Sequence, residues 1–327
     1  MVESRTMTIL LTGCAGFIGS HTTKALLQKG YNVIGVDNLN DYYNPVWKQQ
    51  NLDQFKDENN FTFNRLDITD QKALEQIFKE QATQGEPIQK IVHLAARAGV
   101  RASIEQPHLY QKVNVEGTLN LLELARQLEV PHFVFASTSS VYGNQKKIPF
   151  SETDPVNEPV SPYAATKKAA EMLCYTYSHL HNLQVTCLRF FTVYGPAGRP
   201  DMAPYLFTKA MLSDQPINKF GDGTTERDYT YIDDIVAGVV AAVEKPFRFE
   251  VINLGNNTPV SLNEFITTLE EITGKKAKIN QMGMQPGDVD KTYADIAKAR
   301  KLLGYKPETS IKGGLEKFVE WYRENRM

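Results

Sequence analysis

Hydrophobic positions in this chain fall into short runs separated by longer amphipathic stretches. TILLTG at 8–13, NVIGVD at 32–37, FTFNRLD at 61–67, KIVHLA at 90–95, HFVFAS at 132–137 and VTCLRF at 185–190 read as strands. Helices are expected over 17–29, 70–83, 107–128 and 162–182. Near-continuous apolar strands with helices between them predict a parallel sheet covered on both faces.

After Arg189 the rhythm changes. PAGRPDMAP at 196–204 reads as loop, followed by a helix at 205–213 and a short strand at 217–220. A helix at 232–244 leads to FEVINLG at 249–255, a strand expected to rejoin the first sheet. The remainder holds helices near 261–273, 294–302 and 311–325. The expected organisation is a larger domain of 1–191 and 228–256 with a smaller one of 192–227 and 257–327. The connection 38–60 is long, and connections of that length carry function or a helix of their own.

Composition narrows the partners. The 327 residues are 42% hydrophobic with net charge −2, which leaves no basic footprint for nucleic acid and no polybasic membrane patch. No apolar run approaches the roughly 20 residues of a membrane helix, and MVESRT lacks an apolar signal region. The expectation is a soluble, cytoplasmic protein. Cys14, Cys174 and Cys187 have no metal-ligand spacing and are expected as buried thiols in a reducing compartment, with no metal site.

Directly after the first strand comes Gly13-Cys14-Ala15-Gly16-Phe17-Ile18-Gly19. Glycines permit a tight turn and close approach of backbone to a pyrophosphate, and the helix that follows offers unpaired N–H groups and a positive dipole end. Asp37 ends the second strand 18 residues after Gly19, where a carboxylate accepts hydrogen bonds from ribose hydroxyls and repels a 2′-phosphate. Asn38 and Leu39 supply no arginine, so NAD is favoured over NADP.

Tyr163 and Lys167 lie four residues apart at the start of a helix, on one face. An ammonium beside a phenol is expected to lower the phenol pKa towards the working range of a base. The fifth strand runs into Thr138, Ser139 and Ser140, hydroxyls at the carboxyl end of a parallel strand, where ligands bind. Hydroxyl, tyrosine and lysine above a nicotinamide are the parts needed for hydride transfer at a secondary alcohol.

GxxGxxG, HLAA (93–96), STSSVYG (137–143), YAATK (163–167), RFFTVYGP (189–196) and RDYTYIDDIV (227–236) together resemble the extended short-chain dehydrogenases over nearly the whole chain. DNLNDYYNP (37–45), AGVRASIEQPHLY (98–110), SPYAATKKAAE (161–171) and FFTVYGPAGRPDMA (190–203) resemble the UDP-glucuronate 4-epimerases among them. The resemblance implies an α/β fold: a Rossmann-type doubly wound parallel sheet with a smaller α/β substrate domain. It implies Tyr163 as base, Lys167 as its support and Thr138 as the hydroxyl sharing the 4-hydroxyl proton. Gly13, Gly16, Phe17, Ile18, Gly19, Asp37, Asn38, Asp67, Ile68, Leu94, Ala95, Ala96 and Asn114 would line an NAD site. Arg227 resembles a diphosphate-binding arginine and Asp288 a uridine-ribose acid, whereas Gln285 stands where many relatives carry an arginine. The resemblance also implies a homodimer pairing the helices at 107–128 and 162–182.

A 4-keto glucuronate is a β-keto acid and loses CO₂ readily, so an epimerase must hold its carboxylate. Thr138, Ser139, Ser140, Thr192 and Arg199 are the candidates. Family dehydratases carry Asp-Glu after the hydroxyl residue, and decarboxylases place a glutamate two positions after it; serine at 139 and 140 argues against both. A UDP-galactose 4-epimerase is the alternative enzyme, with no need of Arg199. A non-catalytic NAD(P)-binding regulator would be expected to have lost Tyr163 or Lys167, and both are present.

Overall fold

A computed structural model describes residues 7–283 and 290–327. Gln285 and Asp288 lie outside the described residues. The strands are β1 Thr8–Thr12, β2 Asn32–Asp37, β3 Phe61–Arg65, β4 Ile88–His93, β5 His132–Thr138, β6 Gln184–Phe190, β7 Thr192–Tyr194, β8 Ile217–Phe220, β9 Glu226–Tyr231, β10 Phe249–Leu254, β11 Pro259–Ser261 and β12 Ile279–Met282. The helices are α1 Phe17–Gln28, α2 Pro45–Asp53, α3 Gln71–Thr83, α4 Val100–Glu105, α5 Pro107–Tyr110, α6 Gly117–Gln127, α7 Pro162–His181, α8 Ala203–Leu212, α9 Ile232–Glu244, α10 Leu262–Thr273, α11 Ala297–Leu303 and α12 Ile311–Arg326.

Seven parallel strands form the main sheet in the order β3-β2-β1-β4-β5-β6-β10, so the expected return of the 249–255 run to this sheet is seen at its edge. The central strands are buried on both faces. Within β1, Ile9 and Leu11 join the core under α1 and α9, while Leu10 joins the core under α3, α6 and α7. Burying each such side chain contributes about 1.5–3 kcal/mol. The chain reverses its direction of travel between β1 and β4, where the carboxyl ends of the strands open a crevice. Beside this sheet, β11-β9-β7 form a three-stranded sheet and β12-β8 a two-stranded one.

Local chemistry sets the helix ends. Asp70, Ser161, Ser261 and Ser310 cap α3, α7, α10 and α12 by accepting from the N–H three residues on, and Pro162 occupies the first turn of α7. The connection after β2 carries α2, a helix of its own. The helix expected over 107–128 is continuous through α5, a π-helical stretch Gln111–Glu116, and α6, with the π stretch an irregularity the sequence did not predict. Of the apolar residues on these helices, Leu122, Leu124 and Tyr177 are spent on the core, while Met172, Tyr175 and Leu180 on α7 stay exposed. All three cysteines are free and buried. No helix among the described residues is long and apolar enough to cross a membrane.

His132, at the start of β5, is 1% exposed, and neither ring nitrogen has a partner among the described residues. Burial, helped by Lys90, lowers its pKa from the ordinary 6.5 to about 4. The folded protein therefore keeps this ring neutral while the unfolded chain takes up a proton below pH 6.5. Stability is full above that pH and drops as pH falls towards 4, by about 2–3 kcal/mol at pH 4.5 for this group alone. Chemical denaturation at pH 7 and 4.5 checks this. His132→Leu should lose less stability than the native protein on acidification; an equal loss in both would clear His132.

Candidate active site

The turn from β1 into α1 is closed to any side chain at two points. Gly13 has φ +77°, and a Cβ there would lie 2.8 Å from the Ala95 nitrogen. At Gly19 a Cβ would lie 1.8 Å from the Gly13 carbonyl oxygen. With Gly16 as its N-cap, and no capping side chain, α1 leaves its first-turn N–H groups for a ligand. Gly13, Gly16, Phe17, Ile18 and Gly19 all line one cleft over the carboxyl ends of β1 and β4.

The acidic wall comes from β2 and the turn after β3. The Asp37 carboxylate accepts from Ala15 N at 3.1 Å and Leu39 N at 2.8 Å, which fixes it across the glycine turn. Burial raises its pKa, and the backbone bonds from Leu39 and Ala15 and the nearby Lys48 ammonium oppose the rise. Asn38 donates to Asp67 at 2.7 Å, and Asp67 also accepts from the Thr69 N–H and hydroxyl. Burial works against these bonds, yet they hold the Asp67 carboxyl below its usual range. Asp37, Asn38, Asp67 and Ile68 line the cleft, as do Leu94, Ala95 and Ala96 on the turn after β4. Asn114 does not line it. Buried in the π-helical stretch, it accepts from Arg97 N at 2.8 Å and donates to Arg97 O and Thr166 Oγ1, holding the turn after β4 from behind.

Thr138, Ser139 and Ser140 run from β5 into a 3-10 turn on the same cleft, with Ser140 N donating to Thr138 Oγ1 at 3.1 Å. Tyr163 and Lys167 enter it from α7. The Tyr110 ring meets Tyr163 edge-on, centroids 6.2 Å apart, and the Tyr110 hydroxyl is tied to Ala98 O at 2.6 Å. The expected lowering of the Tyr163 pKa by Lys167 is not found. Burial is the largest influence and pushes the phenol up, against the pull of Thr138 and Arg199. Lys167 sits 4.4 Å from the Phe135 ring centroid, and burial brings its ammonium down to about 8.

Thr192 and Arg199 line the same cleft. Arg199 grips Asp201 through both Nε, at 3.0 Å, and Nη2, and Nη2 also reaches the Tyr42 hydroxyl at 3.2 Å. Arg227 is not among the cleft residues; on β9, its Nη1 donates to the carbonyls of Glu226 and Asp290.

Sequence reasoning missed Tyr42, Asp201 and Lys48. Lys48 is buried on α2 and donates to Asn40 O at 2.7 Å and Asn40 Oδ1 at 3.0 Å, pinning the connection that lines the cleft. One signal was available: Lys48, Asn51 and Leu52 share the buried face of α2 at helical spacing.

Known proteins match this arrangement over almost its full length. A family model described as GDP-mannose 4,6 dehydratase matches residues 10–318. A UDP-glucuronate 4-epimerase from Thermodesulfobacterium geofontis is 50% identical over 317 residues, 97% of this chain and 96% of the relative. The crystal structure of a UDP-glucuronic acid 4-epimerase from Bacillus cereus, in complex with UDP-glucuronic acid and NAD, superposes with a TM-score of 0.90 at 40% identity, covering 97% of this chain and 99% of that one. A UDP-glucose 4-epimerase from Thermotoga maritima, with UDP-glucose, gives 0.89 at 36% identity, covering 97% of this chain and 99% of that one. With glycine turn, acidic wall and Tyr163-Lys167 helix on one cleft, and with these relatives, the chain belongs to the NAD-dependent epimerase/dehydratase family of extended short-chain dehydrogenases, with UDP-glucuronate 4-epimerases among its near relatives.

Proposed function

We propose that this protein interconverts UDP-glucuronate and UDP-galacturonate by NAD-dependent epimerisation at C4. The observation that carries the substrate is Arg199, a guanidinium on the wall of the cleft that also holds Thr138, Thr192 and Tyr163. A sugar carboxylate accepts charge-assisted hydrogen bonds from such a guanidinium, which a neutral CH₂OH group at the same place does not.

The residues present fit NAD. Gly13 and Gly19 allow the tight turn into α1 that a pyrophosphate-binding loop needs, and Asp37 lines the same cleft at the end of β2, with Asn38, Asp67, Ile68, Leu94, Ala95 and Ala96. Held by these residues, NAD would supply a reversible hydride acceptor for C4 of the sugar. The protein's own part is proton handling and positioning. Tyr163 Oη removes the 4-hydroxyl proton, with the Thr138 hydroxyl sharing it, and returns it to the 4-oxygen at the end. Lys167, on the same cleft, would support Tyr163 and contact the nicotinamide ribose. Arg199, Thr192, Ser139 and Ser140 hold the carboxylate through the β-keto stage, while Arg227 and Asp288 serve the UDP moiety. Serine at 139 and 140 leaves no acid–base pair for the elimination a dehydratase performs.

Residues 1–191 and 228–256 are read as the NAD-binding domain, and 192–227 with 257–327 as the UDP-sugar domain. The exposed Met172, Tyr175 and Leu180 of α7 support a homodimer built on that helix; light scattering should give about twice 36.9 kDa, and a monomer at micromolar concentration counts against it. The function is tested by incubating pure protein with UDP-glucuronate and resolving products by chromatography, and by assaying the supernatant of denatured protein for NAD. Turnover of UDP-galactose with none of UDP-glucuronate would replace this reading with the UDP-galactose 4-epimerase one.

A further inference from the structure

Arginine presents five N–H donors in a rigid fork, along a side edge from Nε to Nη2 and an end edge from Nη2 to Nη1. In this cleft the side edge of Arg199 is taken. Asp201 accepts from Nε at 3.0 Å with one oxygen and from Nη2 with the other. Tyr42 closes the arrangement: its hydroxyl accepts from Nη2 at 3.2 Å, donates to Asp201 Oδ2 at 3.1 Å, and its ring lies 5.5 Å from the guanidinium carbon. Nη1 makes no hydrogen bond among the described residues. The cluster joins three chain segments: the connection after β2, the loop before α8, and the turn before α4. In that turn Gly99 has φ +105°, and a Cβ there would lie 2.6 Å from the Tyr42 hydroxyl and 3.3 Å from Arg199 Nη2. Tyr42, Gly99 and Arg199 all line the cleft with Tyr163 and Thr138.

We infer that Asp201, steadied by Tyr42, is a positioning residue for substrate specificity: it fixes the guanidinium by its side edge and leaves Nη1 as the donor offered to the sugar carboxylate. The inference rests on the glucuronate reading above. Two consequences follow from the charges. In an empty cleft, or one holding a neutral sugar, the Arg199 guanidinium is already compensated, because Asp201 balances it. An acidic sugar is held by geometry more than by net attraction, since the pair is already neutral. The orientation so imposed matters at the 4-keto stage. There the C5–C6 bond can break, its electron pair passing into an enolate at the C4 carbonyl that is then protonated at C5, with CO₂ leaving. A carboxylate held in one rotamer by a fixed Nη1 is kept from aligning C5–C6 with the carbonyl π-system.

The test is Asp201→Asn, with Tyr42→Phe as a milder variant that keeps both charges. Both are assayed with UDP-glucuronate for KM, kcat and the ratio of UDP-4-keto-pentose to epimer by mass, and titrated with UDP-glucuronate and UDP-glucose for Kd. Asp201→Asn should lower kcat for epimerisation at least tenfold without raising KM for UDP-glucuronate, and should raise the decarboxylated fraction severalfold. Tyr42→Phe should move the product ratio in the same direction by less. UDP-glucose affinity should stay within about threefold in both. An unchanged product ratio with equally weakened binding of both sugars would make Asp201 merely part of the loop and overturn the proposal. So would tighter UDP-glucuronate binding with kcat intact, which would make Asp201 a competitor of the substrate. If the native protein fails to turn over UDP-glucuronate at all, the functional reading falls, and this inference with it.

Discussion

Arg199→Ala is expected to lose roughly 30-fold to several thousand-fold in kcat/KM with UDP-glucuronate, the kinetic equivalent of the roughly 2–5 kcal/mol that follows when a desolvated carboxylate loses its partner. It should also release UDP-4-keto-pentose, because a loosened carboxylate can turn towards the geometry in which CO₂ leaves. The pairing with Asp201 complicates the comparison with UDP-glucose. Removing the arginine alone leaves that acid unpaired beside the cleft, where its charge acts on either sugar. The decisive comparison is therefore Arg199→Ala with Asp201→Ala in one chain, which removes both charges together. In that double variant UDP-glucose binding should be near native and UDP-glucuronate turnover should remain low. An equal loss on both sugars would mean that Arg199 serves the diphosphate or the loop.

Tyr163→Phe should cost at least about 100-fold in kcat, the lower end of what a positioned base contributes, while UDP-glucuronate still binds. The ring is held between the Tyr110 edge and the cleft, so phenylalanine keeps its packing and loses only the hydroxyl. Turnover is read by product chromatography and affinity by titration. Near-native kcat would remove Tyr163 from the role of base.

The main sheet was legible because β1, β2, β5 and β6 are apolar on both faces, a pattern that only a covered parallel strand needs. The short strands were not. β7 and β11 have three residues each, and all four residues of β12 are exposed, so neither length nor alternation marks them. The glycine turn, Asp37 and the Tyr163-Lys167 spacing were legible as local patterns, and the structure brings them onto one cleft. The partner of Arg199 escaped because a two-residue offset in a loop specifies no geometry, and Tyr42 lies 157 residues away in sequence. That Tyr163 and Lys167 share a helix face was legible; that burial pushes the phenol up, with Thr138 and Arg199 rather than Lys167 opposing it, was not, because desolvation depends on everything packed around the phenol.

The π-helical stretch Gln111–Glu116 has a meaning for chain length. A π turn holds one residue more than the α turn it replaces. The stretch is therefore equivalent to a single-residue insertion in an otherwise regular helix. Removing one residue between 111 and 116 would restore ordinary winding and leave the outward faces of α5 and α6 in place. It would also swing Asn114 away from Arg97 and Thr166, and the turn after β4 would lose its anchor. The helix can thus change length by one here without shifting its ends, and what the extra residue provides is the hold of Asn114 on the turn after β4.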